Sequence, residues 1–476
     1  MSTNAVCDGS IRQLWKVSSG LMVSFLSMMA MTFVDRLFLS YYSTDALSAA
    51  TSSGTLFWAG SFMWVTLAGI AEVFVAQYNG SKQYRKLGEP VWQMIYLSAI
   101  ASIFFISLGS LGSRFFLKST FMNQNEVEYF RWNNYFAPFL TLLTALSAFY
   151  IGQGKTTMIK WLGVIGNSVN VLLDPLLIFG YKNYIPSMGI KGAAIATGIG
   201  IVVQIFILSP MFLSRKNQER FGTNDYRFKP AAFIKCLKVG TSPAIFVMFE
   251  LLGWAIFYKL MEGISSKHIL VASVTQNVLT LFLFFGLGLE KGATAISGNL
   301  IGARKVGEVH RLFRSGVKLS LMFGGVVILF LGLFPDFFTE LFFKNPNGSN
   351  GSHLGISPDM LQEIKVTLRV SFLMVALYLT LESVRWLLTG LLTSGGDTFY
   401  LLVVGAVSIW VFMVFPTYFF VVRLKAPIET TFYIRIFYCA TAIGLLYLRF
   451  WQGKWKENRL VNPGPDAERE PAGASS

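Results

Sequence analysis

The heptapeptide AQYNGSK at residues 76–82 has a counterpart, GNLIGAR, at residues 298–304. At a constant offset of 222 residues, Gln77 matches Asn299, Gly80 matches Gly302, and Ala71 matches Ala293 upstream. A second alignment follows in the same order: GQGKT, from Gly152, matches SGGDT, ending at Thr398, at an offset of 242. The added residues fit an insertion in the Asn/Gly/Ser-rich stretch 342–360. The sequence therefore predicts two structurally similar halves.

Composition places these halves in a membrane. Hydrophobic residues make up 53% of the 476 residues and charged residues 14%, with a mean hydropathy of +0.54. Soluble domains are about one quarter charged, so the chain is expected to be a polytopic membrane protein. The polar start, MSTNAVCDGSIRQLWK, does not have the pattern of a cleavable signal peptide.

A membrane-spanning helix needs about 20 mostly apolar residues, and about twelve segments of the chain meet this criterion. They are residues 14–41, 47–78, 91–116, 127–152, 157–181, 188–213, 235–261, 268–299, 311–335, 361–392, 398–423 and 429–450.

The predicted fold is an all-α membrane protein of two six-helix lobes. An even number of spans gives both lobes the same orientation, with a pseudo-two-fold axis along the membrane normal. We expect an N-lobe at 1–213, a basic linker at 214–234, a C-lobe at 235–450 and a disordered tail at 451–476.

The basic residues predict the orientation. They concentrate in alternate loops, including Arg215, Lys216 and Arg220, and Arg304 and Lys305, whereas the intervening loops are poorer in them. By the positive-inside rule both termini are cytoplasmic. Because these charges are spread over several loops, the net charge of +15 does not indicate nucleic-acid binding.

Carboxylates within the apolar segments are the candidate functional groups, because burying one costs about 2.5 to 3.5 kcal/mol. Asn170 and Asp174 share one helical face, and Pro175 frees the carbonyl of Val171. This combination suits a proton or a small hard cation; the alternative is a structural hydrogen bond between helices. Asp35 is a second candidate. The alternative interpretation is an ion pair with adjacent Arg36 or a position at a helix interface. Against the ion pair, residues i and i+1 of a helix do not face each other.

Other acidic residues have more structural interpretations. Glu250 lies two turns after Pro243, near the face of a possible kink, which makes it a candidate functional group. The alternative interpretation is that it makes a structural contact between helices. Glu382 and Arg385 are spaced i, i+3, which favours an internal ion pair. Glu72 and Glu290 are placed near helix ends and interpreted as interfacial.

Enzyme chemistry has little support in the sequence. GQGKTT lacks the first glycine of a P-loop, because position 149 is Phe149, and no strand is predicted before it. The three histidines and three cysteines show no metal-ligand spacing. We therefore expect no enzyme activity, no cofactor and no resident metal.

Several motifs together resemble the MATE family of multidrug and toxin extrusion transporters. They are FVDRLFLS with ALSAA, VAQYNG, NVLLDPLLIFG with PSMGIKGAAIAT, GNLIGAR and LLTSGGDT, and they span about 450 residues of both halves. The family's early first-helix proline is absent: residues 17–25 read VSSGLMVSF, with Gly20.

The resemblance implies twelve helices in two lobes and cation-coupled export of organic, often cationic, amphiphiles. It also implies an ion-coupling group at Asp35, Asn170, Asp174, Thr197 and Glu250, with transient Na⁺ at the first three. Coupling to H⁺ or to Na⁺ stays open. We expect a monomer in the plasma membrane, which is the inner membrane in a bacterium, with a small organic substrate.

Two other functions stay open. A lipid-linked oligosaccharide flippase of the same superfamily would need an Arg- and Lys-rich cavity. A non-transporting membrane scaffold would need neither an internal repeat nor paired buried carboxylates.

Overall fold

The structure is a computed structural model that describes residues 8–118, 122–182, 184–343, 358–456 and 460–461. Within these ranges the chain is helical, and its β-type pairing is one isolated bridge between Tyr181 and Ile185. Twelve helical stretches of the described chain are long and apolar enough to cross a membrane, judged by length and composition. The predicted all-α membrane fold is confirmed, and the chain is a multi-pass membrane protein.

The α-helices have the following bounds: α1 Ile11–Tyr42, α2 Thr44–Gly69, α3 Ala71–Gly80, α4 Gly88–Ser107, α5 Ser113–Lys118, α6 Gln124–Gly152, α7 Thr156–Ile178, α8 Gly189–Phe212, α9 Arg215–Phe221, α10 Pro230–Ile264, α11 Ser266–Gly302, α12 Val306–Leu333, α13 Pro335–Phe343, α14 Pro358–Ser394, α15 Thr398–Ile409 and α16 Glu429–Gln452. One span combines α2 and α3, and others continue through π-helical turns at Leu108–Gly112, Trp410–Val414 and Thr417–Arg423.

Local sequence explains where several helices begin. At α1 the hydroxyl of Ser10 accepts a hydrogen bond from the Gln13 amide (3.3 Å). At α6 Asn123 and Glu126 form a reciprocal capping box. Such caps satisfy backbone donors that have no partner inside the helix.

Two side-chain amides join the halves at matching positions of the repeat. Gln77 Nε2 donates to the carbonyl of Ser394 (2.7 Å), and Asn299 Nδ2 donates to the carbonyl of Gly152 (2.7 Å). The amides are related by the offset of 222 and the carbonyls by the offset of 242. Each half therefore supplies one amide and one carbonyl from equivalent positions, as in an isologous interface. We call these four residues the amide clasp.

The backbones of α3 and α11 touch beside the clasp. A Cβ on Gly80 would lie 2.0 Å from the carbonyl oxygen of Asn299, and a Cβ on Gly302 would lie 2.1 Å from that of Gln77. Asn79 Nδ2 also donates to Asn299 Oδ1 (2.6 Å). Glycine is required at both positions because no side chain fits between the helices.

The turns that follow these helices repeat as well. Lys82 and Arg304, the residues matched at the first offset, have left-handed φ values of 59° and 60°. Gly154 and Gly396, matched at the second, have φ values of 72° and 75°. Both sequence alignments thus correspond to equivalent backbone positions, and the two-lobe pseudo-symmetry is confirmed.

The linker predicted at 214–234 is partly helical and is anchored to the first half. It contains α9, and α10 already begins at Pro230. Trp92 Nε1 donates to the carbonyl of Thr223 (2.9 Å), and Lys229 Nζ pairs with Glu89 (2.7 Å). Hydrogen bonds to the carboxylates of Asp225 and Glu89 raise the pKa of the Lys229 amine.

The prediction of a disordered tail at 451–476 was wrong for its described part. Trp455 is fully buried, stacks on Phe450 at a ring-centroid distance of 5.3 Å, and donates to its carbonyl (2.8 Å). Leu460 and Val461 are also buried, in an apolar cluster with residues of the first half. Burial of these apolar side chains compensates for the conformational entropy that this part of the tail loses when it becomes ordered. The polar composition of the tail as a whole does not indicate such compensation. The remainder of the tail lies outside the described residues.

The described contacts between the halves concentrate near the clasp. The second half of α11 packs on the start of α1, where a Cβ on Gly288 or Gly292 would meet Met22 or Ser18. By the same symmetry the start of α10 packs on the end of α2, where Gly240 lies against Leu67. Which side of the membrane this end faces stays a prediction from the basic loops.

Gly80→Ala and Gly302→Ala should each destabilise the protein, because the added methyl group forces α3 and α11 apart. Overpacking of this kind costs about 1–3 kcal/mol. The measurement is the thermal unfolding temperature of each purified variant in detergent.

Gly325→Ala in α12 is the matched control, since nothing lies within 4 Å of the position that its added methyl group would take. This change should leave the unfolding temperature unchanged or raise it, because alanine favours a helix over glycine by about 0.5–1 kcal/mol. Wild-type unfolding of the Gly80 variant would contradict the backbone contact.

Candidate functional site

Asp174 and Asn170 lie one turn apart on α7, and both side chains are fully buried. Asn170 Nδ2 donates to Asp174 Oδ1 (3.4 Å) and to Thr197 Oγ1 of α8 (3.2 Å). The Thr197 hydroxyl donates in turn to the carbonyl of Ala193 (3.1 Å). The helix continues through Pro175, which has no N–H to offer the carbonyl one turn earlier.

Small residues allow α8 to approach this face of α7. A Cβ on Gly200 would lie 2.7 Å from the carbonyl oxygen of Gly166 and 3.4 Å from the Cβ of Asn170. Gly200 follows Thr197 by three residues, so both lie on the face that packs against α7. The stretch GAAIATGIG therefore brings the threonine hydroxyl to Asn170.

Asp35 reaches the same region from α1, which packs along α7. Its side chain is 5% exposed, and its carboxylate lies close enough to Asp174 for the two charges to interact. Arg36 is exposed and forms no ion pair with Asp35 within the described chain. The structure thus brings together four predicted residues, which we call the N-lobe cluster: Asp35, Asn170, Asp174 and Thr197.

Tyr129 on α6 was missed by the sequence reasoning. Its ring lies within electrostatic range of both Asp35 and Asp174, and Asn133 is one turn further along α6. Asn133 Nδ2 donates to the carbonyl of Tyr129 (2.9 Å). The i, i+4 spacing of the two residues was a weak signal, because polar neighbours such as Glu128 and Arg131 surround them in the sequence, whereas the stretch around Asn170 and Asp174 is apolar.

Three oxygen atoms of the N-lobe cluster have no hydrogen-bond partner in the described structure. They are Asp35 Oδ1, Asn170 Oδ1 and Asp174 Oδ2, and each is buried. A buried polar atom left unsatisfied costs about 1–3 kcal/mol. All three are hydrogen-bond acceptors when the carboxylates are ionised, so the cluster lacks hydrogen-bond donors for them.

A proton or a small hard cation would supply what the cluster lacks. A proton on either carboxyl group turns an acceptor into a donor. Na⁺ would find carboxylate and amide oxygens, the donor type that hard cations prefer. The described residues contain no group of three or more His, Cys, Asp or Glu side chains that could hold a resident metal.

Glu250 lies in the second half, apart from the N-lobe cluster, and pairs with the same arginine as Glu382. Arg385 Nη2 donates to Glu250 Oε1 (2.8 Å), and its Nε donates to Glu382 Oε2 (2.9 Å). Cys439 Sγ donates to the same Glu382 oxygen (3.3 Å). Glu382 and Arg385 form the ion pair that their spacing indicates, and Glu250 joins it.

A second buried arginine lies in the second half. Arg435 on α16 is 1% exposed, and within the described chain its Nε, Nη1 and Nη2 atoms have no hydrogen-bond partner. Its guanidinium carbon lies 4.4 Å from the ring centroid of Phe257, 4.8 Å from that of Trp254 and 5.7 Å from that of Phe432. Tyr258 also lies within electrostatic and hydrogen-bonding range of the guanidinium group. The surroundings of this group are therefore aromatic, and cation–π contacts contribute to its stabilisation.

Glu72 and Glu290, interpreted from the sequence as interfacial residues near helix ends, come close to each other across the halves. Glu72 is 2% exposed, and its Oε2 lies 3.4 Å from Lys291 Nζ. Glu290 precedes the end of α11 at Gly302 by twelve residues. Their contact with Lys291 could not be predicted, because it joins distant segments of the chain.

Two pseudo-symmetric lobes of six spans, with buried carboxyl groups inside, form the architecture of a secondary transporter with parallel repeats. The MatE family model matches residues 21–176 and 243–419 of the chain. The chain therefore belongs to the MatE family, a family of transporters, and the resemblance seen in its motifs is confirmed.

Relatives with names that refer to drug resistance align over most of the chain. The Thermotoga maritima "Probable multidrug resistance protein NorM" is 23% identical over 468 residues, which cover 94% of each chain. The Bacillus cereus protein of the same name is 26% identical over 327 residues, covering 66% of this chain and 71% of its own.

Solved structures share the fold. "Crystal structure of MATE in the bent conformation" superposes with a TM-score of 0.79 at 17% identity, covering 96% of this chain and 99% of that one. "Outward-facing conformation of a multidrug resistance MATE family transporter of the MOP superfamily" gives a TM-score of 0.80 at 16% identity, covering 94% and 96%.

Arg435→Met should keep or raise the unfolding temperature, because it removes an unpaired buried charge while filling a similar volume. Replacing buried charged groups with apolar ones of similar size is often neutral or stabilising. Arg435→Ala should lower the temperature, since large-to-small changes in a core cost about 2–5 kcal/mol. Thermal unfolding in detergent compares the three proteins. Equal losses for Met and Ala would show that the charge itself stabilises the second half.

Proposed function

We propose that the chain is a secondary active antiporter that exports organic, cationic amphiphilic compounds in exchange for H⁺ or Na⁺. It works by alternating access between the two lobes. The observation that carries this proposal is the N-lobe cluster, in which three buried acceptor oxygens have no donor. Ionisable groups within membrane spans generally mark ion pathways and proton relays.

The coupling step follows from the chemistry of the cluster. A cation entering from outside protonates or coordinates Asp35 and Asp174 and removes their mutual repulsion. The helices that carry them, α1 and α7, then shift, and the substrate is released outward. α1 runs unbroken from Ile11 to Tyr42, so a proline hinge in this helix has no part in the proposed step.

The energy of one coupling ion is sufficient. One charge moving through a membrane potential gains about 2.3 kcal/mol for each 100 mV. At about 1.4 kcal/mol per tenfold concentration ratio, this sustains a roughly fifty-fold gradient of an uncharged substrate.

The substrate class rests on relatives and on charge. Relatives covering most of the chain are named multidrug resistance proteins, and the buried charges of the first half are acidic. An acidic interior favours cationic substrates. A monomer with both termini in the cytoplasm and a place in the plasma membrane completes the proposal.

A lipid-linked oligosaccharide flippase is the second candidate. It needs cations facing a pyrophosphate, and the second half does bury Arg385 and Arg435. One structure that shares the fold, with a TM-score of 0.77, is described as "Reverse polarity of binding pocket suggests different function of a MOP superfamily transporter from Pyrococcus furiosus". Here Arg385 is neutralised by two glutamates and Arg435 is enclosed by aromatic rings, which favours the antiporter. A non-transporting scaffold has no use for the unsatisfied N-lobe cluster.

Asp35→Asn and Asp174→Asn should each abolish coupled export while the protein still folds. The amide keeps the shape of the carboxyl group but cannot take up a proton or balance a cation. Efflux of ethidium, a cationic dye, is measured from proteoliposomes under an imposed proton or sodium gradient.

Asp336→Asn is the matched control, because this carboxylate is 59% exposed and pairs with Arg369 at the surface. It should transport like the wild type. Wild-type efflux by both N-lobe variants would refute the proposed coupling site.

Asn170→Ala should weaken sodium-driven export more than proton-driven export, if the wild type uses both ions. The amide oxygen can coordinate Na⁺, whereas protonation of Asp174 needs no such ligand. Efflux is measured under each gradient separately at a fixed membrane potential. Equal losses under the two gradients would argue against a shared ion site.

A further inference from the structure

Three charged side chains lie between the halves, away from the N-lobe cluster. Glu72 lies in the first turn of α3, and Glu290 and Lys291 are neighbours on α11. Lys291 interacts with both carboxylates and approaches Glu72 Oε2 to 3.4 Å. Two carboxylates thus share one ammonium group, and the set carries a net negative charge when all three are ionised.

Glu290 lies well inside α11 rather than at its end. The twelve residues between it and Gly302 correspond to about 18 Å at about 1.5 Å per residue. A carboxylate within a membrane-spanning helix needs a function or a partner.

The carboxylate of Glu290 has no hydrogen-bond or ion-pair partner within the described chain, and its side chain is half-buried. Its electrostatic neighbours come from both halves: Glu72 of α3, and Arg385 and Glu250 of the second half. Glu290 therefore lies close to charged groups of both halves.

Glu72 supplies a second, independent indication of a ligand. Its side chain is 2% exposed, and its Oε1 is buried without a hydrogen-bond partner in the described structure. The residue follows Ile70, at which the helical hydrogen-bond pattern changes for one residue within one span.

An aromatic side chain completes the surroundings. Trp386 packs over Gly286, where an added Cβ would lie 2.4 Å from its ring. Gly286 precedes Glu290 by one helical turn and shares its face of α11. The half-buried indole thus packs against the same face of α11 one turn before Glu290, and tryptophan is the strongest cation–π partner among the side chains.

We propose that Glu290, with Glu72 behind it and Trp386 beside it, binds the positively charged group of the exported compound. This inference rests on the proposed function, because it names the residues that receive the charge of the substrate. The ligand class is an amphiphilic organic cation: the carboxylates attract its charge, and the indole contacts its apolar part.

The test uses two probes of the same shape and opposite charge, tetraphenylphosphonium and tetraphenylborate. Equilibrium dialysis against the full-length protein in lipid nanodiscs, with empty nanodiscs subtracted, gives both affinities. We expect Glu290→Gln to weaken tetraphenylphosphonium binding about ten-fold, which corresponds to about 1.4 kcal/mol. Tetraphenylborate binding should stay unchanged or strengthen.

Two further variants separate charge from folding. Glu290→Asp keeps the charge and should keep the preference for the cationic probe, even if Glu290→Gln does not fold. Glu262→Gln, at a side chain 59% exposed and paired with Lys259, should bind both probes like the wild type. Thermal unfolding confirms that each variant is folded.

The outcomes distinguish this inference from the proposed function. Wild-type protein that neither binds nor exports tetraphenylphosphonium would overturn the export of organic cations. Wild-type export together with unchanged binding by Glu290→Gln, or with equal losses for both probes, would overturn the role of Glu290 and leave the antiporter standing. Loss of cation preference in Glu290→Asp would overturn it as well.

Discussion

The amide clasp is the contact on which the arrangement of the lobes depends. Each of its amides, on Gln77 and Asn299, is buried and crosses to a backbone carbonyl of the opposite half. Losing one partner would leave a buried polar group unsatisfied, at a cost of about 1–3 kcal/mol. Because Gly80 and Gly302 bring the backbones together at the same point, the halves meet near one end of α3 and α11.

The two lobes share a backbone plan but differ in how their buried charges are balanced. In the first half Asp35 and Asp174 form no ion pair within the described chain, and three acceptor oxygens lack donors. In the second half Arg385 lies between Glu250 and Glu382 and donates to both. A repeat thus gave equivalent helices to both lobes, while side-chain chemistry left carboxylate oxygens without donors in the first and paired Glu250 and Glu382 with an arginine in the second. Function belongs to the site rather than to the fold.

Unsatisfied buried atoms also connect stability with ligand binding. Each such atom in the N-lobe cluster costs free energy in the absence of a ligand. Under the proposed function this cost is removed when a proton or Na⁺ binds, so binding stabilises the conformation in which the cluster is closed. In the second half, Glu250 and Glu382 already accept hydrogen bonds from Arg385. Binding of a cation there would therefore remove no comparable cost.

Much of the fold and part of the site could be predicted from the sequence. Hydropathy determined twelve spans, because each span must bury an apolar length set by the bilayer, and the repeat determined the two lobes. The i, i+4 spacing placed Asn170 next to Asp174, because helical geometry is local. Tertiary structure decided the rest. It brought Asp35 and Tyr129 close to Asp174 from other helices. It also paired Glu250 with Arg385 and buried Trp455 of the tail. It also brought Glu290 close to Glu72 and Arg385, because contacts between distant segments depend on packing that no local pattern specifies.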